Sequence, residues 1–332
     1  MIKEINWGII GCGNVTEVKS GPAFNKIKGS RLVAVMRRNA EMAKDYAFRH
    51  NVPRWYTDAT DLINDPEVNA VYIATPPSSH AQYAIKAMLA GKPVYVEKPM
   101  AANYSDCLEM IKVSRQTGIP LLVAYYRRML PGFIKIKELL ESGIIGKPES
   151  FTIRFFQPPY PHDLTEPKPW RVQPEISGGG YLFDLASHQL DFLDYVLGPL
   201  DVVSSVAANH GKLYTPEDFV SAQFGAKNGT VKGTGLWWFT SPDYLREDHM
   251  KITGEKGKIS FSCFGFTPVK LEKDNRIQLF EFPRPAHVQL DLIQTVVEQL
   301  QGIGSCPSNA ETASRTSLIM DKITGKSIPE NY

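Results

Sequence analysis

The stretch Gly8-Ile9-Ile10-Gly11-Cys12-Gly13-Asn14-Val15-Thr16 decides the fold. A short apolar strand runs into two glycines one residue apart, and a helix can begin directly after them. Glycines at such a turn let the backbone come close to a pyrophosphate, and a helix start offers unbonded N–H groups and a positive dipole end. The third glycine of the usual pattern is replaced by Thr16. A Gly-x-Gly after a strand is on its own compatible with a plain tight turn. On the first strand of an alternating βα series it reads as a dinucleotide site. Gly11, Gly13, Asn14 and Val15 are its expected contacts.

The residues that follow supply that series. Strands are expected at Trp7–Gly11, Leu32–Met36, Arg54–Thr57, Val71–Thr75, Val94–Glu97 and Leu121–Ala124. Helices are expected between them, notably at Met42–His50, Ala81–Leu89 and Ser105–Arg115. Continuous Val/Ile/Ala strands alternating with helices imply a doubly wound parallel sheet covered on both faces. Ligands of such sheets bind beyond the carboxyl ends of the strands, so the residues found there are the informative ones.

Strand two ends in Met36-Arg37-Arg38-Asn39, where an NAD site usually carries a carboxylate for the ribose 2′-hydroxyl. Arg37 and Arg38 suit a 2′-phosphate through charge-assisted bonds, the plain alternative being two solvated arginines at a helix start. NADP is favoured, with NAD as the alternative. Strand four ends in Thr75-Pro76-Pro77-Ser78-Ser79-His80. Thr75 and Pro76 border the cofactor, Ser78 or Ser79 is able to cap the next helix, and His80 either touches the cofactor or sits in the first helical turn. Strand five ends in Glu97-Lys98-Pro99, which puts an amine at the sheet edge beside a conformationally fixed proline. Glu97 and Lys98 join the cofactor-site candidates, and Lys98 is also a candidate for proton transfer on a substrate.

Beyond residue 125 the pattern changes to longer β-type runs: Ser150–Phe156, Val202–Ala208, Phe219–Phe224, Thr230–Phe239, Met250–Thr253 and Lys258–Cys263. A mostly antiparallel open sheet is expected, with helices at Phe133–Ser142, Gly178–Leu197 and Asp291–Leu300. The division predicted is a Rossmann-type domain over 1–124 and an α+β domain over 125–332. Gln157–Pro174, with six prolines, reads as an ordered loop over a site, in which Tyr160, His162 and Asp163 are within reach of a substrate. Thr253–Lys258 reads as a hairpin turn rather than a phosphate loop, because it lacks the strand-to-helix setting. Of Trp237-Trp238-Phe239, one side is expected in the core and the other at a pocket wall or subunit interface.

The second region holds Trp170-Arg171, then Gly178-Gly179-Gly180-Tyr181-Leu182-Phe183-Asp184-Leu185-Ala186-Ser187-His188, then Asp191. The glycines are expected to let the chain approach a ligand closely. Asp184 and His188, four apart, project from one helix face. A carboxylate and an imidazole so placed suit proton transfer at one hydroxyl near neutral pH. The alternative is a helix-surface pair without a task.

With the glycine turn, Glu97-Lys98-Pro99 and the Gly178–His188 block in place, the chain resembles the Gfo/Idh/MocA (glucose–fructose oxidoreductase / inositol dehydrogenase / MocA) family over essentially its full length. The resemblance implies an oxidoreductase moving hydride between nicotinamide and a secondary alcohol or carbonyl of a sugar, polyol or related cyclic alcohol. It implies that Lys98 is the catalytic lysine, with Asp184 and His188 the substrate-binding and acid/base pair. Arg128, Trp170 and Arg171 are implied substrate contacts, and the C-terminal sheet is the implied surface of a homodimer or homotetramer. Two departures stand out: Thr16, and Tyr125-Tyr126 where asparagine more usually precedes the arginines. Two other functions stay open, a redox-neutral glycoside hydrolysis that uses NAD catalytically and a cofactor-binding sensor without catalysis.

Composition narrows the field further. In 332 residues, 43% hydrophobic and 22% charged, the net charge is +2, which gives no reason to expect nucleic acid or membrane partners. No apolar run approaches the about 18 residues of a membrane span. The 4 cysteines are scattered, with neither a disulfide framework nor a metal site in their spacing. No signal peptide precedes the strand at Trp7, so a reducing cytoplasm is the expected setting.

Overall fold

The computed structural model describes residues 2–227 and 229–329. Its chain forms two units. One runs to Tyr126 and takes in Pro285–Ser314; the other spans Arg127–Arg284 and resumes at Arg315. The chain thus passes between the units after Tyr126, Arg284 and Ser314. Pro285–Ser314 carries the helix Leu290–Gln301, whose apolar stripe of Leu292, Ile293, Val296, Val297 and Leu300 is buried in the first unit. Residues 330–332 lie outside the described residues.

The first unit is built on a six-stranded parallel sheet: β1 (Ile5–Ile10), β2 (Ser30–Met36), β3 (Arg54–Tyr56), β4 (Ala70–Ile73), β5 (Val94–Val96) and β6 (Leu121–Val123). The spatial order is β3-β2-β1-β4-β5-β6. Strands buried on both faces read as unbroken apolar runs, and Ala70–Ile73 and Val94–Val96 are buried at every position. Connecting helices are α1 (Asn14–Val18), α2 (Gly21–Phe24), α3 (Ala40–Arg49), α4 (Ala59–Asn64), α5 (His80–Leu89) and α6 (Tyr104–Thr117). Asn39, Asp58 and Asn103 cap α3, α4 and α6 by accepting N–H bonds from Met42, Thr60 and Asp106. Chain order reverses between β1 and β4, the switch point at which such sheets open a ligand crevice.

In the second unit, α7 (Pro131–Glu141) precedes β7 (Pro148–Phe156). After the proline-rich loop come α8 (Pro174–Ser177), a π-wound turn at Leu182–Ala186 and α9 (Ser187–Leu197). The sheet then continues through β8 (Leu200–Ala208), β9 (Phe219–Ala226), β10 (Val231–Trp238), β11 (Glu247–Gly254), β12 (Gly257–Phe261), β13 (Val269–Lys273) and β14 (Arg276–Phe280). Its order is β14-β13-β12-β11-β7-β10-β9-β8, antiparallel except for the β7–β10 pair. Alternation puts Phe151, Ile153 and Phe155 into the core and Arg154 on the open face. Trp237 is buried and Trp238 half-buried, and Gly254 pairs with Gly257 in the expected hairpin.

Four elements differ from expectation. The helix predicted from Gly178 starts later, because Gly178 and Gly180 take positive φ (90° and 68°). β13 and β14 were not anticipated: Val269–Lys273 is half charged, and Arg276–Phe280 is an exposed edge strand. The helix Ala310–Ile323 was also missed, its apolar periodicity masked by Thr and Ser.

Glycines in β10 set a packing constraint. A Cβ at Gly233 would come within 2.0 Å of the buried Phe151 ring, and one at Gly235 within 2.2 Å of the Trp237 ring. The rings occupy the space that a side chain would need. Gly233→Ala or Gly235→Ala should therefore destabilise the protein by about 1–3 kcal/mol through overpacking. A lower urea midpoint with unchanged slope would show it; an unchanged midpoint would contradict it.

Candidate active site

The glycine turn follows from steric necessity. Gly11 has φ +91°, and a Cβ there would meet Thr75 Cγ2 at 2.7 Å and the Thr75 amide nitrogen at 2.9 Å. Only glycine fits between β1 and the loop after β4. The Gly11 and Cys12 N–H groups both donate to Met36 O, at 2.9 and 3.2 Å, fastening the turn to the end of β2. Gly13 is different: a Cβ there would meet nothing nearer than Gly11 O at 3.9 Å. Its bare face is open, which suits close approach of a dinucleotide pyrophosphate. Thr16, in the third glycine's place, is fully buried and donates its hydroxyl to Gly13 O at 2.8 Å. Threonine is accommodated because that hydroxyl bonds within the turn itself. Cys12 is buried and desolvation pushes its thiol up to about 11, so it is inert at neutral pH. Asn14 is exposed and Val15 half-buried.

At the end of β2, Arg37 Nη1 donates to Cys12 O at 3.3 Å, which lays the guanidinium along the glycine turn. Arg38 is exposed. After β4, Thr75 and Pro76 are half-buried at the sheet edge. The Ser79 hydroxyl bonds to Thr75 Oγ1 (2.8 Å) and Pro76 O (3.0 Å) rather than capping α5. His80 is fully buried, with Nδ1 3.1 Å from Pro99 O and Nε2 2.7 Å from Thr75 O. Burial pushes its pKa down, with the carbonyls and Glu97 opposing. The imidazole thus ties two loops together from the first turn of α5, one of the two places expected for it.

Lys98 lies two residues past the end of β5, half-buried, with a cis peptide bond to Pro99. The carboxylate before it is 6% exposed. Glu97 Oε1 accepts bonds from Tyr72 Oη and Gln289 Nε2, both at 2.5 Å, and Oε2 accepts the Lys98 backbone N–H at 3.2 Å. Burial, with the Glu97 charge adding to it, holds the Tyr72 phenol well above its ordinary range, so it remains a donor. Tyr95 donates to Gln289 Oε1 at 3.0 Å and stacks on Tyr72 at 5.1 Å. Glu97 is therefore consumed by the scaffold beneath Lys98.

In the second unit, Asp184 lies in the π-wound turn and His188 at the start of α9, 3% exposed. The wider turn keeps residues four apart on one side of the helix, and such turns recur at functional sites. Asp184 Oδ2 accepts a bond from Arg171 Nε at 3.1 Å, and the Arg171 guanidinium lies 4.6 Å over the Trp170 ring. Trp170, Arg171 and Asp184 are thus brought together. Arg128 is placed otherwise: its buried fork meets Asp191 at 3.0 and 2.5 Å, with Thr316 3.4 Å from the same carboxylate. The pair is buried on both sides, and removing one partner would strand a charge in the core. The glycines before Asp184 are also reassigned. A Cβ at Gly179 would strike Phe183 at 2.3 Å and one at Gly180 would strike Pro216 at 2.6 Å. They serve close chain packing rather than ligand approach.

In the proline-rich loop, Asp163 is fully buried and accepts bonds from Tyr160 N–H (2.9 Å) and Tyr181 Oη (2.6 Å). It holds the loop, while the rings of Tyr160 and His162 stack at 5.2 Å. Residues that sequence reading missed include Tyr72 and Gln289 beneath Lys98, and Phe264, whose ring meets His188 edge to face at 6.0 Å. Nothing local marks them: Gln289 is 192 positions from Glu97. Among the described residues no cluster of His, Cys, Asp and Glu is arranged to hold a metal ion. None of the described helices is long and apolar enough to cross a membrane.

Comparison with known proteins agrees with this architecture. Residues 5–125 match the family described as "Oxidoreductase family, NAD-binding Rossmann fold", and residues 133–260 match the GFO/IDH/MocA C-terminal domain. Oxidoreductase P35 of Formosa agariphila is 41% identical over 98% of this chain and 100% of its own length. A levoglucosan dehydrogenase of Pseudarthrobacter phenanthrenivorans is 32% identical over 59% of this chain and 49% of its own. Among solved structures, levoglucosan dehydrogenase in complex with NADH superposes with a TM-score of 0.85 at 23% identity, covering 97% of this chain and 96% of that one. KijD10, a 3-ketoreductase from Actinomadura kijaniata in complex with NADP, superposes with a TM-score of 0.83 at 21% identity, over 98% and 100%. The chain therefore belongs to the Gfo/Idh/MocA family of NAD-binding oxidoreductases.

Proposed function

We propose that the protein is a sugar or polyol dehydrogenase/reductase that uses NADP in preference to NAD, with Lys98 and His188 in proton transfer. The position of Lys98 carries the reading: it lies at the carboxyl edge of the sheet that Gly11–Gly13 and Thr75–Pro76 also border. Relatives named levoglucosan dehydrogenase, 1,5-anhydro-D-fructose reductase and D-xylose dehydrogenase support the sugar class.

The open face of Gly13 and the N–H groups of Asn14 and Val15 would hold the pyrophosphate. Thr75 and Pro76 would border the nicotinamide. Bound nicotinamide supplies two-electron acceptance or donation at the carbon bearing the substrate hydroxyl. The chain's own residues manage the proton. In the oxidation direction His188 takes it from the hydroxyl, and Lys98 is the second group we assign to proton transfer. Asp184, joined to Arg171, orients the imidazole and offers an acceptor to a neighbouring hydroxyl, with Trp170 as an apolar wall for C–H groups. In the reduction direction the roles reverse.

Arg37 and Arg38 would meet a 2′-phosphate. The open face of the second sheet, whose edge strands expose Val203, Val206, Ile277 and Leu279, is the surface we assign to a homodimer or homotetramer. A monomer in sedimentation velocity would contradict that assignment. We also assign the protein to the reducing cytoplasm, where its buried cysteine thiols stay reduced.

Turnover is read at the nicotinamide absorbance band across a panel of pyranoses and polyols. Lys98→Ala and His188→Ala should each lower kcat about 10²–10⁴-fold, the range for loss of a proton-transfer group, with NADP affinity retained. Near-native turnover, or lost cofactor binding, would contradict the assignment. Arg37→Ala combined with Arg38→Ala should weaken NADP about 10–100-fold, as expected for lost charged hydrogen bonds, and leave NAD unchanged. Equal loss for both cofactors would contradict the 2′-phosphate role.

A further inference from the structure

Phe264 sits in a short segment that the second unit holds with unusual care. The Asp248 carboxylate, from β11, accepts three successive backbone N–H groups: Cys263 at 2.9 Å, Phe264 at 2.6 Å and Gly265 at 2.9 Å. Bonds to an ionised acceptor are stronger than neutral ones, and three on one carboxylate leave this backbone little freedom. Arg127 adds a second restraint. It is buried, its Nε donates to Cys263 O at 2.9 Å, and its guanidinium lies 4.4 Å over the Phe264 ring. Phe155, from β7, packs the same ring at 5.1 Å. The ring so fixed meets His188 at 6.0 Å and 78°, the edge-to-face arrangement that aromatic pairs favour.

We propose that Phe264 is a positioning residue for His188, and that Asp248 and Arg127 act through it. The inference rests on the reading of His188 as the group that takes the substrate proton. An imidazole in that role must present one nitrogen to the hydroxyl within a narrow angular range, and a ring that swings loses that alignment. The Phe264 ring limits this swing from one side without making a hydrogen bond, so it does not compete for the proton. The rest of the segment serves to keep that ring still. Asp248 immobilises the backbone on either side of the Phe264 Cα, and Arg127 covers a ring face. A loop phenylalanine required only for burial would need neither a carboxylate cradle nor a buried cation.

The test compares Phe264→Ala, Phe264→Leu and Phe264→Tyr with His188→Ala and with the Phe264→Ala/His188→Ala double variant. For each, kcat, KM for the alcohol, NADP affinity and melting temperature are measured. Phe264→Ala should lower kcat about 10–100-fold, the cost of a modest misalignment. KM and NADP affinity should stay within about threefold, a change small beside that loss. Phe264→Tyr should restore most of the rate because it keeps the ring. In the His188→Ala background the alanine change should remove nothing further, since both act through one group. Phe264→Leu keeps apolar volume and carries the test if the alanine variant does not fold. Unchanged kcat, a rise in KM alone, or an equal loss in the His188→Ala background would overturn the proposal. Near-native turnover by His188→Ala alone would instead overturn the proton-transfer reading beneath it.

Discussion

A carboxylate buried directly before the candidate catalytic lysine is the constraint on which the cofactor-side site depends. Taking a carboxyl group such as that of Glu97 out of water is costly unless its oxygens are hydrogen-bonded, so its surroundings are not free to vary. Tyr72 comes from β4, the next strand in the sheet, and Gln289 from the segment just before the helix Leu290–Gln301. The Lys98 backbone itself supplies the third bond. Satisfying that carboxylate registers β4, β5 and a distant segment against one another, at the sheet edge where a ligand is to be bound. The Pro285–Ser314 segment belongs to the first unit, and Gln289 is its contribution to that carboxylate.

The second unit solves a related problem with different means. Its acid/base candidate is an imidazole on a helix rather than an amine at a strand end, and α9 begins directly after a π-wound turn. Around it, charges are neutralised in pairs: Arg128 with Asp191, Arg315 with Asp194, Arg171 with Asp184. The first is wholly buried, whereas Arg315 and Arg171 are 34% and 41% exposed.

Much of this was legible in the sequence, for identifiable reasons. Strands buried on both faces announce themselves as apolar runs, so the parallel sheet and its edge residues were recoverable, as was the steric need for glycine at Gly11. Other features were not. Gly179 and Gly180 carried a true signal of close approach, but the partners are the chain's own Phe183 and Pro216. Arg128 and His80 are a second case. Both are buried, and their partners, Asp191, Thr75 O and Pro99 O, follow only from the tertiary fold. β14 was invisible because an edge strand needs no apolar alternation.

The most direct test of the account is the primary deuterium isotope effect in a single turnover. Enzyme saturated with NADP and an alcohol labelled at the carbinol carbon would be compared with its Lys98→Ala and His188→Ala variants. If both residues act on the proton in the chemical step, each variant is slowed at that step, and the isotope effect rises to or stays at its full value. A slowed variant whose isotope effect falls towards one would mean that the defect lies in binding or release, and would contradict the roles given to Lys98 and His188.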